Sequence, residues 1–126
     1  MTLTREEILN EPPGIQLDQW VSKYVMGYET RRYYRADDPQ SFDEFYIVDN
    51  KKYENVYYTS EWQPSKYIDV AWKVEERIKE LANGAPMYTG YYMTELQLIV
   101  GNKGFDMVHA TPEQRCKAAL LAVLGL

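Results

Sequence analysis

The sequence predicts an α+β fold, an antiparallel or mixed sheet covered by helices, in a single domain over residues 1–126. Three observations lead there. Apolar residues recur at helical spacing near both ends and in the middle of the chain. The segments between are short, aromatic or β-branched, and separated by turn residues. Those strand-like segments come in adjacent groups and do not alternate singly with helices, which disfavours a parallel βαβ sheet. A chain of this length holds one core.

Each element follows from local chemistry. Thr4-Arg5-Glu6-Glu7 has the T-x-x-E form of a capping box and starts a short helix that Pro12-Pro13-Gly14 stops. Leu17, Val21, Tyr24 and Val25 share one face of a second helix, with Gly27 as its stop. Segments 31–35, 45–48 and 55–59 read as strands, with Asp37-Asp38-Pro39 and Asp49-Asn50-Lys51-Lys52 as turns. Tyr67, Ala71, Val74, Ile78 and Leu81 form the stripe of a helix over 65–82, which Asn83-Gly84 is expected to close in a left-handed cap. Segments 87–93, 96–100 and 105–110 read as further strands, the last two joined as a hairpin by Gly101-Asn102-Lys103-Gly104. Thr111-Pro112-Glu113-Gln114 is a second capping box, and Cys116, Ala119, Leu120, Val123 and Leu124 are the buried stripe of a final helix.

The net charge of −5 opposes binding along a nucleic-acid backbone and leaves room only for a local basic pocket. One cysteine and one histidine make neither an internal disulfide nor a Cys/His zinc site within one chain. No run of about 18 apolar residues is present, and the first residues lack the pattern of a signal peptide, so neither a membrane nor a secretory route is expected. No P-loop, H-E-x-x-H or EF-hand pattern occurs, and neither a metal nor a cofactor is expected.

Two features carry candidate chemistry. The stretch GYETRRYYR (27–35) holds Arg31, Arg32 and Arg35 against Glu29 alone. As a strand it places Arg31, Tyr33 and Arg35 on one face and Arg32 and Tyr34 on the other. Arginine forks onto phosphate and tyrosine stacks on bases, so the run suits a small nucleotide; it equally suits a charged edge strand that resists aggregation. The start of the last helix offers free N–H groups at Thr111, with Arg115 and Lys117 close by, for an anion. An ion pair with Glu113 or another carboxylate is the alternative. His109 as a general base and Cys116 as a nucleophile are weaker candidates, because His109 has no visible orienting partner and Cys116 lies on an apolar stripe. An enzyme is not expected.

The blocks LDQWVSKYVMGY (17–28), YYTSEWQPSKYIDVAWKVEERI (57–78) and HATPEQRCKAALLAVL (109–124) resemble the phage αβα-sandwich domain family, in register along the chain. That resemblance implies an α-β-α sandwich and a phage protein. The middle, 29–56, matches less well, and Arg115 stands where the family usually has an apolar residue. In size and layout the chain is also similar to one branch, the first-described Thoeris anti-defence proteins. These sequester, without cleaving it, a cyclic ADP-ribose isomer made by TIR enzymes. Some also hold cyclic oligonucleotides of CBASS signalling, and they assemble as homo-oligomers, up to hexamers. The resemblance therefore implies a ligand-binding protein in the cytoplasm of the infected bacterial host. Arg31, Arg32, Arg35, Thr111, Arg115 and Lys117 are then the candidates for the pyrophosphate, Trp20, Tyr28, Tyr88 and Tyr92 for the base, and Asn102 for ribose or base edges. The competing expectation is a protein-interaction or inhibitor module whose Tyr- and Arg-rich surface is an interface.

Overall fold

The chain ends in the helix around which the rest is built. In the computed structural model, which describes residues 2–47, 56–101, 103 and 105–126, helix α5 (Pro112–Leu124) is buried on every side from Arg115 to Ala122. Its run of alanines at 118, 119 and 122 lets neighbours approach closely. Those neighbours are α1 (Arg5–Asn10), α2 (Ile15–Trp20), α3 (Ile68–Gly84) and α4 (Met87–Val100). Both capping boxes form: the Thr4 hydroxyl accepts from Glu7 N at 3.2 Å and the Thr111 hydroxyl from Gln114 N at 3.1 Å.

Helix α2 does not end at Trp20. It continues as one widened, π-helical turn over Val21–Met26, and Gly27 stops it in the left-handed conformation at φ 72°. A side chain there would be strained, so glycine is the residue this stop requires. Tyr28 N then donates back to Ser22 O at 2.8 Å, and Arg77 Nε on α3 donates to Val25 O at 3.2 Å, which occupies carbonyls that the helix end leaves free.

The sheet is a three-stranded antiparallel meander, β1 (Glu29–Tyr34), β2 (Phe42–Ile47) and β3 (Val56–Tyr58), in spatial order 1-2-3. The register sets Arg31 opposite Phe45, Arg32 opposite Glu44 and Tyr33 opposite Asp43. β1 is an edge strand and mostly exposed; β2 anchors the sheet by burying Tyr46 in the common core with Trp62. The expected α+β class with an antiparallel sheet is thus what the chain adopts. The expected turn Asp49-Asn50-Lys51-Lys52 lies outside the described residues.

Three expectations about elements are corrected. Segments 87–93 and 96–100 are not strands but one helix, α4. Tyr92 and Leu96 are buried, and Tyr88, Ile99 and Val100 pack against the same core, which is a helical spacing. The aromatic and β-branched content that suggested strands is overridden by this packing against α5. Residues 105–109 are successive turns in place of a hairpin strand, with His109 N donating to Phe105 O at 2.9 Å. Asn83-Gly84 does not form a left-handed cap either. The helix runs through Gly84 and ends at Ala85, φ −148°, because Pro86 excludes the helical conformation from the residue before it.

Candidate functional site

Where the π-helical turn meets the sheet, a polar cleft of about 570 Å³ opens. The helical wall supplies Gln16, Gln19, Trp20, Lys23 and Tyr24; the sheet supplies Thr30, Arg32 and Glu44. The spacing of the helical five, i, i+3, i+4, i+7 and i+8, is one face of a helix, adjacent to the stripe of Leu17, Val21 and Val25 that enters the core. π-helical turns are recurrent at functional sites, where they redirect side chains that a regular helix would space evenly.

The charges in the cleft are arranged but not cancelled. Arg32 Nε lies 2.7 Å from Glu44 Oε2, and its guanidinium sits 4.5 Å from the centroid of the Phe42 ring. Gln19 Nε2 reaches Glu44 Oε1 at 3.5 Å. Lys23 makes no ion pair among the described residues; its Nζ lies 5.2 Å from the Tyr24 ring centroid. Among the described residues, two cations against one carboxylate leave the cleft positive in a protein of net charge −5. A larger recess, about 820 Å³, lies on the other side of Trp20 and Tyr24, against α1. Its charged lining is Glu6, Glu7 and Glu11 without a cation, so it repels an anion.

The sequence-derived candidates are scattered by the fold. Trp20 and Arg32 come together in the cleft. Tyr28 lies half-buried beneath the sheet, its ring 5.3 Å from Trp62 and edge-on to it, and 6.4 Å from Tyr46. Arg31 and Arg35 point to the opposite face of the sheet, where they pair with Glu29 at 3.2 Å and Asp43 at 3.4 Å. The alternation read from the sequence is therefore kept, and it separates the three arginines. Tyr88 is half-buried on α4, Tyr92 is buried there, and neither lines the cleft. Burial pushes the Tyr92 phenol far above its ordinary pKa. Asn102 lies outside the described residues.

The anion site expected at the start of α5 is not an open one. Thr111 spends its hydroxyl on the cap. Arg115 turns inward: Nε donates to Ala110 O at 3.0 Å, Nη2 to Val108 O at 2.9 Å and Nη1 to Glu75 Oε1 at 2.8 Å. Lys117 Nζ donates to Leu9 O and to Glu113 Oε1, 2.9 and 2.8 Å away. Because α5 is enclosed, its basic residues use backbone carbonyls and carboxylates of the neighbouring segments as partners. Both are fasteners of the core. The weaker catalytic candidates fare no better. Cys116 is fully buried, and desolvation raises its thiol pKa far out of reach of the thiolate. His109 is exposed and edge-on to Phe105 at 6.0 Å, and among the described residues its ring has no hydrogen-bond partner.

Lys23, Tyr24, Gln19 and Glu44 were not singled out from the sequence. The signal was present in the polar-aromatic stripe beside the apolar one. Tyr24 was counted with the buried face, and it is half-buried, touching both core and cleft. No group of three or more His, Cys, Asp or Glu able to hold a metal occurs among the described residues. No helix among them is long and apolar enough to cross a membrane.

Fold and site together define a small α+β domain, three antiparallel strands set against a helical layer, with a cationic-aromatic cleft at their junction. The family model of the phage ABA sandwich domain matches residues 19–120, and the chain belongs to that family. The matched region contains every residue of the cleft except Gln16. No curated protein and no solved structure matches.

Proposed function

We propose that this phage protein binds a nucleotide-derived immune signal in the cleft and holds it without cleavage. The observation that carries the reading is the convergence of Trp20 and Tyr24 with Lys23 and Arg32 in one recess. A cyclic ADP-ribose isomer made by TIR enzymes presents a pyrophosphate, ribose hydroxyls and an adenine. Lys23 and Arg32 suit the pyrophosphate, Trp20 and Tyr24 the base, and the amides of Gln16 and Gln19 the hydroxyls. The volume of about 570 Å³ falls within the range of small-molecule sites. Stacking contributes about 1–3 kcal/mol per base, and the two cations add charge-assisted bonds to the phosphates.

Retention without chemistry fits the lining. Among the described residues, Glu44 is the one carboxylate of the lining and it is held by Arg32, with no histidine, cysteine or second carboxylate beside it to complete an acid–base pair. Cyclic oligonucleotides of CBASS signalling offer the same phosphate and base chemistry and are the second ligand class for this site. Action in the cytoplasm of the infected host, as a homo-oligomer, belongs to the same proposal. Incubation with the TIR product, removal of free ligand and release by heat tests it: intact ligand is expected at up to one per chain, and recovery of ADP-ribose would show an enzyme instead.

One observation favours a second reading, a protein-interaction module. On the sheet face away from the cleft, Tyr33 stacks on Phe45 with centroids 4.9 Å apart and planes 9° apart, and Tyr58 follows at 6.3 Å from Phe45. Tyr33 and Tyr58 are both about half exposed, flanked by Arg31 and Arg35. If Tyr33→Ala with Tyr58→Ala abolishes protection of the phage while ligand retention is unchanged, this face and not the cleft is the working surface.

A further inference from the structure

Glu44 sits on the inner face of the sheet. Along β2 it alternates with Phe42 and Tyr46, so the three side chains share a face, and Tyr46 carries that face into the core. The Glu44 side chain is 14% exposed. A carboxylate drawn this far from water needs donors for both oxygens. Oε2 has a strong one, Arg32 Nε at 2.7 Å, from the residue directly opposite in the register. Oε1 has, among the described residues, only Gln19 Nε2 at 3.5 Å, the outer limit of a hydrogen bond. Replacing a buried ion pair by apolar residues is often neutral for stability, so packing alone does not call for a carboxylate here. Glu44 thus lines the cleft with one oxygen under-used.

We infer that Glu44 Oε1 is the acceptor for a vicinal diol of ribose, and that it makes the cleft selective for ribose-bearing phosphates over phosphate alone. The inference rests on the reading of the cleft as a nucleotide site and adds the group that reads the sugar. Lys23, Arg32 and the Trp20 N–H are pure donors and suit an acceptor such as phosphate. A diol brings two O–H donors, which a carboxylate accepts more strongly than a neutral amide or hydroxyl does. Position selects the sugar over the base. Glu44 takes the Nε–H of Arg32 and leaves the guanidinium four more N–H groups, so a phosphate on Arg32 lies close to Glu44. In a nucleotide the ribose hydroxyls also lie close to the phosphate, whereas the amine of the base lies beyond the ribose. Gln19, already beside Oε1, can donate to the same diol oxygens. Without a sugar between them, the carboxylate faces the phosphate uncompensated and repels it.

Calorimetric titration of the full chain with inorganic pyrophosphate, with ADP and with dideoxy-ADP, which lacks the diol, tests it for the wild type and for Glu44→Gln. Glutamine keeps the size of the side chain and an acceptor for Arg32 Nε. The wild type is expected to bind ADP about fivefold or more tightly than dideoxy-ADP. Glu44→Gln is expected to erase most of that difference, and to bind pyrophosphate about twofold or more tightly than the wild type does, because a negative charge has left the cleft. A role confined to holding Arg32 in place would weaken pyrophosphate and ADP alike. Equal binding of ADP and dideoxy-ADP by the wild type, or a parallel loss of pyrophosphate and ADP in a folded Glu44→Gln variant, overturns the inference and leaves the phosphate reading of the cleft standing. A wild type that binds neither these probes nor the TIR product removes the nucleotide reading itself, and the diol subsite falls with it.

Discussion

Replacing Arg115 by alanine separates the structural account of α5 from the anion-site account suggested by its sequence. The side chain is about one-tenth exposed and donates to three partners: Ala110 O, Val108 O and Glu75 Oε1. Truncation strands a partly buried carboxylate and removes donors from two carbonyls, and breaking a buried ion pair in this way costs about 3–5 kcal/mol. Glu75 remains 28% exposed, so water recovers part of its solvation and the lower end, about 3 kcal/mol, is expected. That is a large share of the 5–15 kcal/mol that holds a domain together. At about 4 °C per kcal/mol for a chain of this size, the Tm falls by roughly 12 °C. Thermal unfolding followed by circular dichroism measures it. Arg115→Met, which keeps the apolar stem but none of the donors, should recover only a small part of the loss. Below its lowered Tm the Arg115→Ala variant should retain ligand as the wild type does. A Tm within about 3 °C of wild type together with lost ligand binding would refute the reasoning and return Arg115 to the site.

Other consequences are as direct. Trp20→Ala and Lys23→Ala are each expected to weaken binding of the TIR product about tenfold or more, by calorimetric titration; Tm should change little for the exposed Lys23, and should fall for Trp20, which also packs against the core. Gly27→Ala forces a side chain into the left-handed region at φ 72° and should cost about 1 kcal/mol, read as a Tm lower by about 4 °C. Asp18 is buried, and desolvation raises its pKa despite the Ser65 N–H it accepts at 2.8 Å. Its charged form is thus disfavoured in the folded state, so the stability it supports is full at low pH and is lost as pH rises from the ordinary carboxylate range through the raised value. Asp18→Asn removes that loss and keeps an acceptor for Ser65. Melting curves from about pH 4 to 7 should fall less steeply for the variant, and a steeper fall would contradict the burial argument.

Much of this fold is written locally. Thr4 with Glu7 and Thr111 with Gln114 announce their helices because the same side chains that mark a cap also make its bonds. Strands β1 and β2 follow from aromatic content and flanking turn residues. Helix α4 was not legible in this way. Tyr88, Tyr91, Tyr92, Ile99 and Val100 suit a strand, and only the neighbouring α5 decides for a helix. The cleft was half legible for a related reason. Trp20 and Arg32 carry chemistry conspicuous in a sequence, whereas Lys23 and Glu44 gain meaning from the packing of a helix on a sheet. For Arg115 and Lys117 the sequence left an anion site and an ion pair both open; the pairs with Glu75 and Glu113 form, while the carbonyls that also hold them, at Val108, Ala110 and Leu9, have no signature in side-chain identity.

The central claim is retention of an unaltered signal by the cleft. Its most direct measurement is mass spectrometry of what the purified protein carries after incubation with the TIR-made cyclic ADP-ribose isomer, for the wild type and for Lys23→Ala with Arg32→Ala. The account predicts intact ligand on the wild type, released by heat, and its loss from the folded double variant. Equal retention by the variant, or a hydrolysed product on the wild type, would contradict it.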